Sequence, residues 1–133
     1  MSQSRTASCR CGQLRAECRG EPVRVSACHC LECQKRTGSA FAVQARFLSE
    51  NVTIYGESKT WERQTETETP AIYNFCGKCG STVYYQAGPF PGMIAIPVGA
   101  FADPNFPEPS VSIYETRRHK WVQLSASGMK NID

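Results

Sequence analysis

Long apolar segments are missing from this chain of 133 residues. The longest one, residues 93–102, is interrupted by Pro97 and Gly99 and is too short to cross a membrane, so we expect no membrane partner. The N-terminal residues are polar and lack the apolar stretch of a signal peptide. We therefore expect a cytoplasmic protein in a reducing compartment, where disulfides are rare.

Several motifs that carry chemistry are missing as well. The chain has no internal repeat, no low-complexity tract and no glycine-rich loop that would cradle a phosphate. It has no nucleophile elbow and no pair of acidic residues at the spacing of a general acid and base. These absences leave cysteine, with 8 residues, as the outstanding feature of the composition. In a reducing compartment, clustered cysteines favour metal binding over disulfides.

The net charge gives little support to nucleic-acid binding. It is +3 when every cysteine is counted as neutral. Seven thiolates that hold two zinc ions would add seven negative and four positive charges, which would bring the total to about zero. We therefore expect no nucleic-acid partner.

Alternation of apolar and polar residues predicts a mostly β chain. We expect a single domain over residues 1–133, with a core at about 8–124 and loose termini before Ser8 and after Ser125. One short helix is expected from Leu31 to Thr37, with Gly38 as its left-handed end. The predicted strands are residues 13–18, 23–27, 41–47, 52–55, 72–75, 82–85, 93–98, 111–114 and 121–124.

Two pairs of cysteines have the spacing of a closed metal site. Cys76 and Cys79 are each followed by a glycine, as expected for a tight turn with positive φ that directs both thiolates to one ion. Such a turn supplies half of a tetrahedral site, and the C-R-C-G segment at 9–12 is the obvious source of the other half. The alternative is two separate metal-free thiol pairs. We predict a structural zinc site formed by Cys9, Cys11, Cys76 and Cys79.

A second cluster places three cysteines within residues 28–33. Because the other clustered cysteines are already assigned, its ion would have three protein ligands and one open position, the pattern of a catalytic zinc. Cys33 would lie in the first turn of the short helix, where the helix dipole favours a thiolate. The chain is thus expected to bind two zinc ions, the second through Cys28, Cys30 and Cys33.

A closed second site is the alternative, and it needs a fourth ligand from elsewhere in the chain. The candidates are Cys18, His29 and His119. Cys18 lies on the apolar face of a predicted strand, so we expect a buried core thiol. The His29 ring, between two ligands, is expected to point away from the ion, and His119 is expected to be exposed in a basic stretch.

The three cysteine clusters resemble those of the glutathione-dependent formaldehyde-activating enzymes, a family that shares a domain with centromere protein V. The matching segments are C-R-C-G at 9–12, C-H-C-L-E-C at 28–33 and F-C-G-K-C-G-S at 75–81. The resemblance implies a β-tent of antiparallel sheets stapled by a structural zinc. It also implies that the 9–11 and 76–79 cysteines hold this structural ion, and that the 28–33 cysteines hold a catalytic one.

The same resemblance implies the activity, a carbon–sulfur lyase reaction that joins glutathione to formaldehyde. The partners would then be a small-molecule thiol and an aldehyde. Since three thiolates leave Zn²⁺ with a net charge of −1, the ion would be a poor Lewis acid and would rather hold the substrate thiol as a thiolate. The alternatives are a thiol redox enzyme of the peptide sulfoxide reductase type, which would use Cys18, and a non-catalytic zinc-binding module.

Glutathione is an acidic tripeptide and would also need cationic partners for its carboxylates. The candidates are Arg36, Arg46, Arg63 and Lys120. Lys35 or Arg36 would also offset the negative charge of the thiolates.

Overall fold

Two sheets and one helix make up the protein in the computed structural model, which describes residues 3–66, 69–88 and 90–132. The helix is α1 (Leu31–Thr37). The strands are β1 (Ser4–Ser8), β2 (Arg15–Arg19), β3 (Arg24–Cys28), β4 (Ala42–Leu48), β5 (Val52–Tyr55), β6 (Lys59–Arg63), β7 (Ala71–Phe75), β8 (Thr82–Gln86), β9 (Met93–Pro97), β10 (Val111–Ile113) and β11 (Lys130–Ile132).

The smaller sheet has the order β1-β2-β5, and the larger has the order β11-β10-β3-β4-β9-β8-β7-β6. The predicted mostly β class is confirmed. The expectation of antiparallel sheets holds for most neighbouring strands, but β10 runs parallel to both β3 and β11. A parallel neighbour needs a long connection, and β10 reaches β3 only after the chain has completed most of the larger sheet.

The main hydrophobic core lies where the two sheets face each other. Leu14, just before β2, and Ala16 in β2 reach it from the side of the smaller sheet. Phe47, Val83 and Ile96 reach it from the larger sheet, and all five side chains are almost completely buried. Burial of a large apolar side chain contributes about 1.5–3 kcal/mol. Cys9 and Cys76 belong to the same cluster. The core therefore holds the ends of two separate hairpins together, and with them two pairs of cysteines.

The helix begins and ends at the residues that the sequence predicts. Cys30 is its N-cap and accepts a hydrogen bond from the backbone N–H of Cys33. Gly38 ends it with φ 70°, and its N–H donates to the carbonyl of Gln34 at 2.8 Å. In the described part of the chain, no helix is long and apolar enough to span a membrane.

Three strands that the sequence pattern misses lie at the edges of the sheets. The expectation of loose termini before Ser8 and after Ser125 is wrong, because β1 pairs with β2 and β11 pairs with β10. The third is β6, which pairs with β7. In β6 and β11 nearly every side chain is exposed, so no apolar alternation marks them. Backbone hydrogen bonds to a neighbouring strand form these edges.

The predicted strand at 121–124 is wrong as well. The backbone N–H of Val122 donates to the carbonyl of His119 at 3.0 Å, which closes a turn at this point. The carbonyl of Val122 accepts a hydrogen bond from Nη1 of Arg118 at 2.6 Å. The N–H and the carbonyl of Val122 therefore both form hydrogen bonds with nearby residues and do not pair with a strand, although the side chain of Val122 is buried.

Gly56, which follows β5, provides a test of how closely the backbone there packs against the β1–β2 turn. Its φ is +94°, and a Cβ at this position would stand 1.8 Å from the backbone oxygen of Gln13. We expect Gly56→Ala to lower the free energy of unfolding by about 2 kcal/mol or more, because it adds both strain and a clash with rigid backbone. Denaturant unfolding at equal metal content measures this. Gly99→Ala is the matched control, since nothing lies within 4 Å of its Cβ position, and an equal loss in both variants would contradict the interpretation.

Candidate metal centre

All seven clustered cysteines meet in two groups, as the sequence predicts, and all eight cysteines are free thiols. Within each group the sulfur atoms lie within 4.8 Å of one another. The groups are Cys9, Cys11, Cys76 and Cys79, here called the four-cysteine cluster, and Cys28, Cys30 and Cys33, here called the three-cysteine cluster. Each cluster could hold a metal ion.

The four-cysteine cluster joins two hairpins that belong to different sheets. One pair of its cysteines lies in the turn between β1 and β2, and the other in the turn between β7 and β8. Both turns close through a glycine N–H: Gly12 donates to the carbonyl of Cys9 at 3.1 Å and Gly80 to that of Cys76 at 2.8 Å. Gly12 and Gly80 have positive φ, as expected, whereas Gly77 does not. A Cβ on Gly77 would instead meet the side chain of Lys59 at 2.9 Å.

The sulfur spacing of this cluster fits a tetrahedral ion. The sulfur of Cys11 lies 3.6 Å from those of Cys9 and Cys76. Four sulfurs around a zinc ion with bonds of about 2.3 Å would stand about 3.8 Å apart. Disulfide sulfurs, by contrast, are bonded at about 2.0 Å. The four side chains are therefore arranged as metal ligands are.

Nitrogen donors around the four-cysteine cluster favour ionised sulfur. The backbone N–H of Leu14 donates to the sulfur of Cys9 at 3.3 Å, and that of Lys78 donates to the sulfur of Cys76 at 3.3 Å. Nε2 of Gln13 donates to Cys76 at 3.0 Å, and this hydrogen bond lowers the pKa of Cys76 to about 7. Hydrogen bonds of this kind stabilise the charged form of a ligand and orient it.

Gln13 is a residue that sequence reasoning missed. Its side-chain amide also pairs with the backbone of Glu57, through a 2.7 Å bond to the carbonyl and a 3.0 Å bond from the N–H. This contact ties the β1–β2 turn to the segment after β5. No local pattern announces it, because the partners are 44 residues apart.

The three-cysteine cluster is built at one junction of the chain. Cys28 ends β3, Cys30 caps α1, and Cys33 lies in the first turn of the helix, as predicted. The sulfur of Cys33 lies 3.3 Å from that of Cys28, and the sulfur of Cys30 accepts a hydrogen bond from the backbone N–H of Cys33 at 3.2 Å.

Electrostatics within this cluster also fit a cation. The hydrogen bond from Cys28 lowers the pKa of Cys30 to about 2, while the same contact raises the pKa of Cys28. One thiolate thus forms at the expense of its neighbour when no cation is present. A divalent ion that accepts sulfur ligands would let all three thiols ionise together.

None of the three candidate fourth ligands joins this cluster. Among residues 3–66, 69–88 and 90–132, no further Cys, His, Asp or Glu places a ligand atom within 4.8 Å of all three sulfurs. Cys18 is completely buried in the core, as predicted. The ring of His29 points to Ser112, and Nε2 of His119 lies 2.9 Å from Oε1 of Gln34. His119 is half-buried, so the expectation that it is exposed is wrong.

His29 anchors the loop that carries Cys28 and Cys30. Its ring is completely buried, with Nε2 2.9 Å from Oγ of Ser112 and 3.3 Å from a carboxylate oxygen of Glu115. Ser112 donates to the same carboxylate, and Nε of Arg118 donates to its other oxygen at 3.2 Å. Burial lowers the pKa of His29, so the neutral ring is favoured. Sequence reasoning expected His29 to point away from the ion but missed Ser112 and Glu115, which lie more than 80 residues away.

A cavity of about 450 Å³ lies between α1 and strands β6 to β8. Its volume is in the range of small-molecule sites. Helix α1 connects it to the three-cysteine cluster, because the helix carries Cys33 and also lining residues of the cavity. The charged and aromatic lining consists of Glu32, Lys35, Arg36, Trp61, Arg63, Tyr73 and Phe75.

Two of the four predicted cationic partners line this cavity, namely Arg36 and Arg63. Arg46 is instead buried, with its guanidinium 4.2 Å from the centre of the Phe90 ring, and it interacts electrostatically with Cys28 and Cys33. Lys120 is exposed and is not among the lining residues. The sequence identified these basic residues as candidates but did not show which of them line the cavity.

Cys18 lacks the features that the redox alternative requires. A redox-active thiol is accessible and has a lowered pKa. The side chain of Cys18 is completely buried, and burial raises its pKa to about 12. The thiol therefore serves as a small apolar core residue.

The fold and the two clusters define a small β protein with two thiol-lined sites that could hold metal ions. The family model described as glutathione-dependent formaldehyde-activating enzyme matches residues 4–117, and the chain belongs to that family. A crystal structure of a protein from Rhodobacter sphaeroides is similar, with a TM-score of 0.59 and 18% sequence identity over 96% of this chain and 99% of that chain. At this identity the likeness shows a shared fold. No curated protein matches the chain significantly.

Gln13→Leu tests the link between this side chain and the four-cysteine cluster. It removes the donor to Cys76 while keeping a similar volume. We expect affinity for a divalent metal at this cluster to fall about tenfold, as is typical when a hydrogen bond to a metal ligand is lost. Competition with a chelator measures it. Gln86→Leu, at the exposed end of β8, is the control, and unchanged metal affinity in Gln13→Leu would contradict the assignment.

Proposed function

We propose that this protein is a zinc-dependent enzyme of the carbon–sulfur lyase type, which adds glutathione or a similar thiol to formaldehyde or another small aldehyde. The observation that carries the proposal is the three-cysteine cluster, which gathers three sulfurs at the start of a helix that lines a cavity, without a fourth Cys, His, Asp or Glu ligand from the described residues. Three protein ligands are typical of catalytic zinc sites, and four are typical of structural ones. The name of the family supports the choice of glutathione and formaldehyde.

The four-cysteine cluster has a structural role in this proposal. Its donors come from both sheets, and a zinc ion there would fasten them in the tent arrangement expected of the family. Metal binding at such a site adds to folding stability, because the site does not exist in the unfolded chain. The chain would then hold two zinc ions, one structural and one catalytic.

The proposed addition forms a C–S bond and an O–H bond, breaks the S–H bond and the C=O π bond, and needs no oxidant. The thiol sulfur attacks the carbonyl carbon, the electron pair of the C=O π bond moves to oxygen, and that oxygen takes up a proton. Zinc bound by Cys28, Cys30 and Cys33 would supply a position at which a substrate thiol loses its proton near neutral pH.

The surrounding residues balance the charge of this site. Three thiolates and one divalent ion leave a net charge of −1, and a bound substrate thiolate makes it more negative. Arg36 and Arg46 both interact electrostatically with thiols of the cluster. Burial raises the pKa of Tyr85, so its phenol stays protonated, with its oxygen 3.5 Å from Nη2 of Arg36. These groups keep a negative site tolerable in a partly buried environment.

An activity assay tests the proposal. Zinc-loaded protein is mixed with glutathione and formaldehyde, and adduct formation is compared with the uncatalysed rate. We expect an acceleration that Cys33→Ser reduces at least 100-fold, because a ligand of the reacting site is lost. Cys18→Ala is the matched cysteine control and should retain the rate. No acceleration by the unaltered protein would overturn the proposal and favour a non-catalytic metal module.

Metal content separates the two sites. We expect two zinc ions per chain in the unaltered protein and one in Cys33→Ser, which should stay folded. Cys76→Ser should also lose one ion, and its thermal midpoint should fall by about 10 °C or more, since the two sheets lose their staple. Elemental analysis and thermal unfolding measure both effects. Equal destabilisation by the two substitutions would contradict the division into a structural and a catalytic site.

A further inference from the structure

The cavity beside α1 carries an excess of positive charge. Lys35, Arg36 and Arg63 face a single acidic residue, Glu32, along its lining. In the part of the chain that the structure describes, neither arginine has a carboxylate oxygen within the 4.0 Å of an ion pair. Partly buried arginines are normally paired, so this lining has the character of a receptor for an anion.

Each of these two arginines also keeps an unused hydrogen-bond donor. Nε of Arg36 and Nε of Arg63 are both buried and have no hydrogen-bond partner among the described residues. Buried N–H groups are nearly always paired, because leaving one unpaired is costly. Nε of Arg24, which is not among the lining residues, is unpaired in the same way, so the unpaired Nε atoms matter here only because Arg36 and Arg63 both line the cavity.

Neighbouring aromatic rings hold both guanidinium groups in place. The guanidinium of Arg36 lies 4.7 Å from the centre of the Tyr85 ring and 5.5 Å from that of Tyr73. Nη2 of Arg63 donates to the phenol oxygen of Tyr73 at 3.4 Å, and Trp61 stacks on the same ring at 6.1 Å. Tyr73 thus connects both arginines. A cation held in advance loses little conformational freedom when it binds a ligand.

Helix α1 sets the distance between Arg36 and the sulfur site. Cys33 and Arg36 are three residues apart in α1 and lie on the same helix face. One helical turn rises about 5.4 Å, so a ligand of a few bonds can reach from one to the other.

We propose that Arg36 and Arg63 bind a carboxylate of the thiol substrate in this cavity, while the sulfur of the same molecule lies at the three-cysteine cluster. The inference rests on the proposed function and narrows it, because it selects thiols that carry a carboxylate several bonds from the sulfur over neutral thiols. A guanidinium can bind a carboxylate through two parallel N–H···O contacts, so this positively charged lining suits a carboxylate.

Direct binding tests this inference without any catalysis. The probes are S-methylglutathione and its diethyl ester, neither of which has a free thiol, titrated calorimetrically into zinc-loaded protein. We expect the acid to bind at least tenfold more tightly than the ester. Arg36→Met and Arg63→Met should each abolish most of this preference, by weakening binding of the acid far more than binding of the ester. Arg15→Met, on the exposed face of β2, is the matched control and should keep it.

Two results would overturn the inference. One is equal binding of acid and ester by the unaltered protein. The other is an equal loss of both probes in Arg36→Met and Arg63→Met, which would mean that the arginines only support the fold. Preference for the acid in a protein without thiol–aldehyde activity would keep the carboxylate site and remove the proposed reaction. Activity with equal kcat/KM for glutathione and its diethyl ester would keep the proposed reaction and remove the carboxylate site.

Discussion

The structure depends on the meeting of four sulfur atoms at the junction of two sheets. Neither sheet supplies all four sulfurs, because one pair of cysteines lies in the β1–β2 turn and the other in the β7–β8 turn. Four thiolates at a spacing near 3.6 Å would repel one another, so a metal ion at this cluster would let all four cysteines ionise together. The apolar core between the sheets brings the turns together, and Gln13 adds a neutral donor that favours ionised sulfur. Packing and ligation thus reinforce each other at the same point.

The second group of sulfurs follows a different construction. Its three cysteines come from one short stretch, where β3 ends and α1 begins, so local backbone geometry is enough to assemble it. What the rest of the protein contributes is orientation. The buried ring of His29 ties this stretch to Ser112 and Glu115, at the far end of the chain. The contrast between four cysteines that come from two sheets and three that come from one local stretch is the basis on which we propose a structural role for the first cluster and chemistry for the second.

Charge connects the cavity to the sulfur site. The three-cysteine cluster is negative even with a divalent ion, and the lining next to it is positive. Arg46 and Arg36 are close enough to both the cluster and the aromatic residues to act on the sulfur charge. The rings of Tyr73 and Tyr85 lie against the Arg36 guanidinium, and the phenol oxygen of Tyr73 accepts a hydrogen bond from Arg63, so Tyr73 holds both cations at the cavity. A substrate with one soft sulfur and one carboxylate matches this polarity.

Local features of this protein were determined by the sequence alone. Cysteine spacing identified both clusters, alternation identified most strands, and Gly38 marked the end of α1, because each signal lies within a few residues of its effect. Tertiary structure decided the rest. The edge strands β6 and β11 form through backbone pairing, which leaves no pattern in the side chains. Residues 121–124 do not form a strand, because the carbonyl of Val122 accepts a hydrogen bond from Arg118. Gln13 meets Cys76 across 63 residues of chain, and Ser112 meets His29 across 83. Only the packed fold selects which basic side chains line the cavity, since charge by itself does not say where a residue lies.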